Sequence, residues 1–481
     1  MTALGLKEDK AEAERGRVTA PLLIAVLGAL CGMFVFGYNT GVINAPKNDI
    51  KAFIADVYRE RWGPDAARVD PDNDPFESMF SYIVAAFPLG GLLGGFFCGW
   101  LADGLGRKGG LLLTSAAGVL ASLLLGCARL AGSHEMLLAG RFLIGVCSAL
   151  FTSLSPMYIS EVAPLNLRGG LGMCNQLSVT LGLLVSQLLG ADFSPVQWDL
   201  LLGLSAVPCL LLLAPLVVCP ESPRFLLLSA KRDQDAVNAL AWLRAAPAAH
   251  VRPEIQAMEA EEEGAEPPMG ILTLLTSAAL RRPLVIAAVL QLSQQLSGIN
   301  GVLYYSTSVF QEAGMAEDAA KNTTVGVGGI MVVMTLVSAP FADRLGRRAL
   351  MLVGLVGMFV CSLGVTATLA LEQYVAMRAL AVVAVLAFVV LFSVGPGSIP
   401  WLITAELFSQ GPRPAAVAVA TVVNWAANFA VSIAFPPMQK ELKYLVFAPF
   451  SALLFLFSLF AAFRVPETKN KTFREIADSL R

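Results

Sequence analysis

The chain has 481 residues, of which 56% are hydrophobic and only 15% charged, more apolar surface than soluble domains of ordinary size can hide. Its 34 basic and 36 acidic residues leave a formal charge of -2, which excludes a nucleic-acid partner reached by bulk electrostatics. The eight cysteines lie within or at the edges of apolar runs, so neither a disulfide framework nor a metal site is read from them, and no cofactor is expected.

Residues 1–18 are polar and alternate acids with bases. The first apolar run follows without a small-residue cleavage site, which predicts a retained helix. Twelve runs of about the ~20 residues needed to cross a bilayer are predicted at 21–44, 79–101, 109–128, 136–158, 171–190, 199–219, 283–310, 325–342, 349–371, 378–402, 414–436 and 444–464. The Pro and Asp content of 45–78 predicts irregular structure there. Residues 220–282 form the longest polar insert; within it 233–245 and 254–263 read as short amphipathic helices, the second strongly acidic, serving as a solvated linker or as a cytoplasmic latch. The expected organisation is therefore a cytoplasmic N-terminus (1–20), a six-helix half (21–219), the linker (220–282), a second six-helix half (283–464) and a cytoplasmic C-terminus (465–481). The fold class is an all-α membrane protein of twelve transmembrane helices in two pseudo-symmetric halves, with membrane lipid as an obligate neighbour.

Three charged motifs occur twice. Ala102-Asp103-Gly104-Leu105-Gly106-Arg107-Lys108 returns 240 residues later as Ala342-Asp343-Arg344-Leu345-Gly346-Arg347-Arg348. Glu161 with Arg168 returns as Glu406 with Arg413, and Pro220-Glu221-Ser222-Pro223-Arg224 as Pro466-Glu467-Thr468-Lys469. Such order and spacing between apolar runs argue for tandem membrane halves, the build of carriers that alternate access. The basic residues of these motifs follow spans 2, 4, 8 and 10, so they share one side, the cytoplasm, and both termini join them there. Asp103, Arg107, Glu161, Arg168, Glu221, Arg224, Asp343, Arg347, Glu406, Arg413 and Glu467 are read as a gating charge network whose pairs hold when the carrier faces outward and part when it opens inward.

Polar residues inside the spans carry the chemistry, because such groups are costly in lipid unless they meet partners or water. Span 7 places Gln291, Gln294 and Gln295 on one face, followed by Gly298-Ile299-Asn300-Gly301, where the glycines permit local unwinding. Gln176 and Gln187 share a face of span 5 with Thr180. Asn424 and Asn428 lie one turn apart beside Trp425, and Trp401 follows the break Gly395-Pro396-Gly397-Ser398-Ile399-Pro400. Each amide taken alone is equally well interhelical glue. Neutral donors and acceptors with indole rings, and no carboxylate or ammonium among them, describe a lining for a hydroxyl-rich neutral ligand, a monosaccharide.

At these residues the chain resembles the sugar-porter family of the major facilitator superfamily, and within it the facilitative glucose transporters of animals. Gln291-Leu292-Ser293 is similar to the signature of glucose-preferring members, and Gln294 to Asn300 and Gly395 to Trp401 resemble the sugar-binding segments. The resemblance implies sugar contacts at Gln176, Gln294, Gln295, Asn300, Trp401 and Asn424; Gln187, Gln291, Phe36 and Thr40 complete the substrate-binding candidates. It departs at Met331, where many members have Asn, and at Ser393, where many have Glu. Proton-coupled relatives carry Asp within the segment that here reads Phe36-Gly37-Tyr38-Asn39-Thr40-Gly41. Asn39 cannot exchange a proton, so facilitative transport of D-glucose and related hexoses across the plasma membrane is expected, with a proton-coupled symporter or a non-transporting sugar sensor as alternatives. A membrane-embedded enzyme is disfavoured, since the carboxylates sit at helix ends beside arginines. Choice among glucose, galactose and mannose stays open, as do the oligomeric state and modification of the sequon Asn322-Thr323-Thr324.

Overall fold

The computed structural model describes residues 17–63, 75–192, 197–263, 266–267, 269–371, 373–469, 471 and 475–476, so the expected polar start 1–16 and most of the C-terminal segment lie outside the described residues. In chain order the helices are α1 (Ala20–Gly41), α2 (Lys47–Trp62), α3 (Pro75–Cys127), α4 (His134–Val162), α5 (Arg168–Asp192), α6 (Trp198–Gly203), α7 (Ala206–Val218), α8 (Asp233–Arg244), α9 (Ala248–Glu263), α10 (Ile271–Thr276), α11 (Arg281–Gln295), α12 (Ile299–Glu312), α13 (Glu317–Leu345), α14 (Arg347–Ala370), α15 (Val375–Val394), α16 (Ile399–Leu407), α17 (Arg413–Leu442) and α18 (Ala448–Arg464).

Nine stretches among the described residues are long and apolar enough to cross a membrane. The 53-residue α3 is bent at Gly106 into two crossing arms. The seventh span is split at Gly298 into α11 and α12, and α18, at 17 residues, is the short twelfth. Spans six and ten are likewise interrupted, between α6 and α7 and between α15 and α16. Local signals set the starts: Thr19 Oγ1 accepts from the Leu22 N–H at 3.2 Å with Pro21 in the first turn, and Ser133 Oγ accepts from Met136 N–H at 3.3 Å.

One expectation is corrected. The segment after span 1 is not irregular throughout, because α2 occupies Lys47–Trp62. Ile50, Ile54 and Val57 recur at helical spacing and are buried, which outweighs the Pro and Asp content around them. The linker helices form as expected, the second beginning earlier at Ala248. Arg244 holds them together, donating to both Glu254 oxygens at 3.1 and 2.7 Å and to the Val162 carbonyl at the end of α4 at 2.9 Å. Further on, Met269 N–H donates to the Gly411 carbonyl at 3.1 Å, so the insert touches both halves.

The halves meet at mid-depth through aromatic rings and small residues. Trp425 on α17 lies over Gly91 of α3 and stands edge-on to Phe36 (5.7 Å) and Phe87 (5.9 Å). At the end remote from the termini, Asn44 closes the gap: its amide donates to Ser306 Oγ at 2.5 Å and to Leu303 O at 3.4 Å, and its oxygen accepts the Thr307 N–H at 3.3 Å. That N–H is available because Tyr305 departs from helical geometry (φ -132°). At the opposite end Gln176 and Trp401 are exposed, and a Cβ at Gly169, Gly170 or Gly172 would meet no other described residue within 4 Å. The molecule is therefore closed on one side and open on the side of its termini.

Candidate functional site

Two broken helices build the central cluster. The interruption between α11 and α12, where Gly298 adopts φ +93°, turns Asn300 back toward Gln295, and the interruption between α15 and α16 frees the Pro396 and Gly397 carbonyls. Gln294 Nε2 donates to those carbonyls at 2.8 and 2.7 Å. Gln295 Nε2 donates to Asn424 Oδ1 at 2.9 Å and to Gln294 Oε1 at 3.1 Å, while Asn300 Nδ2 donates to Gln295 Oε1. Asn424 Nδ2 reaches Gln291 Oε1 (2.7 Å) and Gln294 Oε1 (2.6 Å). These five amides are at most 8% exposed, and Gln291 Nε2 has no hydrogen-bond partner among the described residues. No charged side chain enters these bonds. The cluster can thus exchange amide-to-amide bonds for bonds to hydroxyls without moving a proton.

The remaining candidates are dispersed. Gln176 and Trp401 (36% exposed) stand on the open side of the cluster. Phe36 forms the aromatic wall with Phe87 and Trp425, whereas Thr40 turns its hydroxyl back to the Phe36 carbonyl at 2.9 Å. Gln187 is buried on α5 facing Gly328 of α13 and is not part of the cluster. Met331 is buried in α13, and Ser393 donates to the Val389 carbonyl of its own helix at 2.9 Å.

The charged motifs form two matching corners. Gly106 (φ +76°) and Gly346 (φ +90°) take a left-handed turn that L side chains resist, and a Cβ at either would overlap a carboxylate. That carboxylate is Glu221 in one half, accepting the Arg107 and Lys108 N–H groups at 3.1 and 2.9 Å, and Glu467 in the other, accepting those of Arg347 and Arg348 at 2.9 and 3.2 Å. Each acid caps the first turn of a helix, where the helix dipole favours it. Arg107 pairs with Glu161 at 3.0 Å and Arg347 with Glu406 at 3.1 Å, and Ser222 and Thr468 donate to the same two acids. Each of these pairs is made within one half. Arg224 is half-buried just before Phe225, whose ring lies 5.0 Å from the Arg107 guanidinium. Arg413 Nε donates to Phe408 O at 3.2 Å and Arg168 Nε has no hydrogen-bond partner among the described residues; neither arginine, nor the exposed Asp103, forms an ion pair with a described residue. The Asp343 side chain lies outside the described residues.

Sequence reasoning missed Arg141. It is fully buried in α4, donates one bond to the Asn39 backbone carbonyl at 2.9 Å, stacks 4.6 Å from Phe87, and leaves Nε and Nη2 without a hydrogen-bond partner among the described residues. The signal was a solitary charge inside span 4. Asn39 itself is tied by Val35 O at 3.0 Å and Ser205 Oγ at 3.2 Å.

A bundle of twelve crossings with repeated charged corners and a chamber of neutral amides defines a major facilitator carrier. The chain belongs to the family described as Sugar (and other) transporter, which matches residues 24–480. It is 44% identical over 466 residues to facilitated glucose transporter member 3 of Rattus norvegicus, covering 96% of this chain and 93% of that protein. To member 4 of Homo sapiens it is 43% identical over 474 residues, covering 98% and 92%. Among solved structures it superposes on the inward-open xylose transporter XylE from E. coli (TM-score 0.78, 24% identity, 96% of this chain and 100% of that one). It also superposes on the proton:xylose symporter XylE bound to 6-bromo-6-deoxy-D-glucose (TM-score 0.76, 25% identity, 97% and 100%). The protein is a transporter and not an enzyme.

Proposed function

We propose that the chain is a uniporter that carries D-glucose and related hexoses down their gradient by alternating access, with the sugar held at Gln291, Gln294, Gln295, Asn300 and Asn424. Gln176, Trp401 and Phe36 line its path. The observation that carries this reading is the fully neutral amide cluster: hydroxyls can replace each amide-to-amide bond one for one, and an indole offers a face to the ring. The similarity to facilitated glucose transporters points the same way. Asn39 supports uniport over proton symport, because the position beside Arg141 holds an amide that cannot titrate. In this reading the protein lies in the plasma membrane with both termini in the cytoplasm, and the conformation described faces inward.

Cytoplasmic closure would bring the two halves together at the helix starts that carry Arg168 and Arg413. Asp103 and these arginines are described members of the charge network that can bridge the halves, while Arg107–Glu161 and Arg347–Glu406 hold each half rigid. Radiolabelled glucose uptake by purified protein in liposomes tests the function, with and without a pH gradient. Internal glucose should rise to the external concentration and stop there. Accumulation above it would establish the symporter; binding without uptake would establish the sensor.

A further inference from the structure

Gln187 cannot serve the same sugar molecule as Gln176. The two side chains share a face of α5 but are eleven residues apart, which sets them ~16 Å apart along the helix, farther than a hexose ring reaches. Gln176 stands on the open side, and Gln187 is sealed three turns toward the closed side. Its burial is nearly complete, at 3% exposure, yet neither its Nε2 nor its Oε1 has a hydrogen-bond partner among the described residues. Sealing a bare amide is costly, so this one is kept for a ligand that arrives when the outer end opens.

Its surroundings suit a hydroxyl. Gly328 on α13 faces it, and a Cβ at that position would overlap Gln187 Oε1, so the glycine leaves room for the amide. One turn further out on α13, Thr324 Oγ1 lies 3.1 Å from Thr307 Oγ1 of α12, and Thr307 N–H is the group that Asn44 holds. One turn further out on α5, Gly190 joins Ala45, Pro46, Asp49, Trp198, Leu201 and Lys321 around a cavity of ≈ 10 Å³, about the size of one water. Moving α12 away from Asn44 would open this polar strip to the outside. We propose that Gln187, with Thr324 and Thr307 beyond it, forms an outer hydroxyl-binding subsite that a hexose occupies between the extracellular solution and the central amide cluster. This rests on the carrier reading above.

The test uses the full chain in liposomes and sets glucose against analogues that each lack one hydroxyl, as external competitors of uptake, for wild type, Gln187→Leu and Gly328→Ala. One deoxy analogue should be about five-fold weaker than glucose on wild type and equal to glucose on both variants, since the group that bound the missing hydroxyl is removed or displaced. The Gln294→Leu variant should erase the penalty for a different hydroxyl. An impermeant glucose disaccharide should inhibit both Gln187 and Gly328 variants several-fold less than wild type from outside and equally from inside. Unchanged penalties for every analogue, with glucose competition intact, would overturn the subsite alone. Failure of glucose to compete on wild type would overturn the carrier reading and the subsite with it.

Discussion

The two halves share their cytoplasmic corners and differ in their interiors. Gly106, Glu221, Arg107 and Glu161 are repeated by Gly346, Glu467, Arg347 and Glu406 almost bond for bond. Within the bilayer, however, the C-terminal half breaks two of its helices and fills the breaks with paired amides, whereas the N-terminal half breaks one, between α6 and α7, puts no amide cluster there, and buries an arginine and an aromatic wall. Duplication therefore preserved the parts that set helix ends and left the chamber free to specialise. Broken helices expose backbone carbonyls at mid-depth, and only the half that has them there can build a polar site without burying charge.

The largest expected effect removes chemistry from the specialised half. Gln294→Leu should weaken sugar affinity by about 1 to 3 kcal/mol, because it removes bonds to hydroxyls and also leaves the Pro396 and Gly397 carbonyls bare. Equilibrium-exchange half-saturation measures it; normal insertion with unchanged affinity would reduce Gln294 to packing. The shared corners should respond alike. Gly106→Ala and Gly346→Ala each force a positive φ and push on a carboxylate, so each should lower thermal stability by about 1 kcal/mol or more. A response in one half only would break the equivalence of the corners.

Asn39→Asp sharpens the contrast between the interiors. It would set a carboxylate on the residue whose backbone carbonyl Arg141 bonds, and should raise the melting temperature, since a buried cation gains a nearby counter-charge. It should leave net uptake insensitive to a pH gradient, because coupling also requires protonation to bias the conformational equilibrium. Concentrative uptake by this variant would show that one carboxylate suffices. The smallest effect belongs to the gate. Arg413→Ala should slow transport modestly with sugar affinity kept, an exposed or half-exposed pair being worth ~0 to 1 kcal/mol. Wild-type rates in Arg413→Ala and Arg168→Ala together would leave both residues as topological markers.

The sequence by itself determined the bundle, the tandem halves and the residue types of the chamber. Length and polarity of each apolar run fix a crossing whatever its neighbours do, and the glycines around 298 and 395 announce the breaks. It also contained α2, whose Ile50, Ile54 and Val57 have helical spacing that the Pro and Asp content around them obscured. Only tertiary structure decided which amides meet. Gln294, Gln295, Asn300 and Asn424 converge because α11, α12 and α17 pack side by side, while Gln187, equally polar and on the same face as Gln176, is carried three turns away. It decided likewise that Glu221 and Glu467 bind helix starts and not arginine side chains, and that Arg141 answers to Asn39. Those outcomes depend on distances between residues tens to hundreds of positions apart, set by packing and absent from any local pattern.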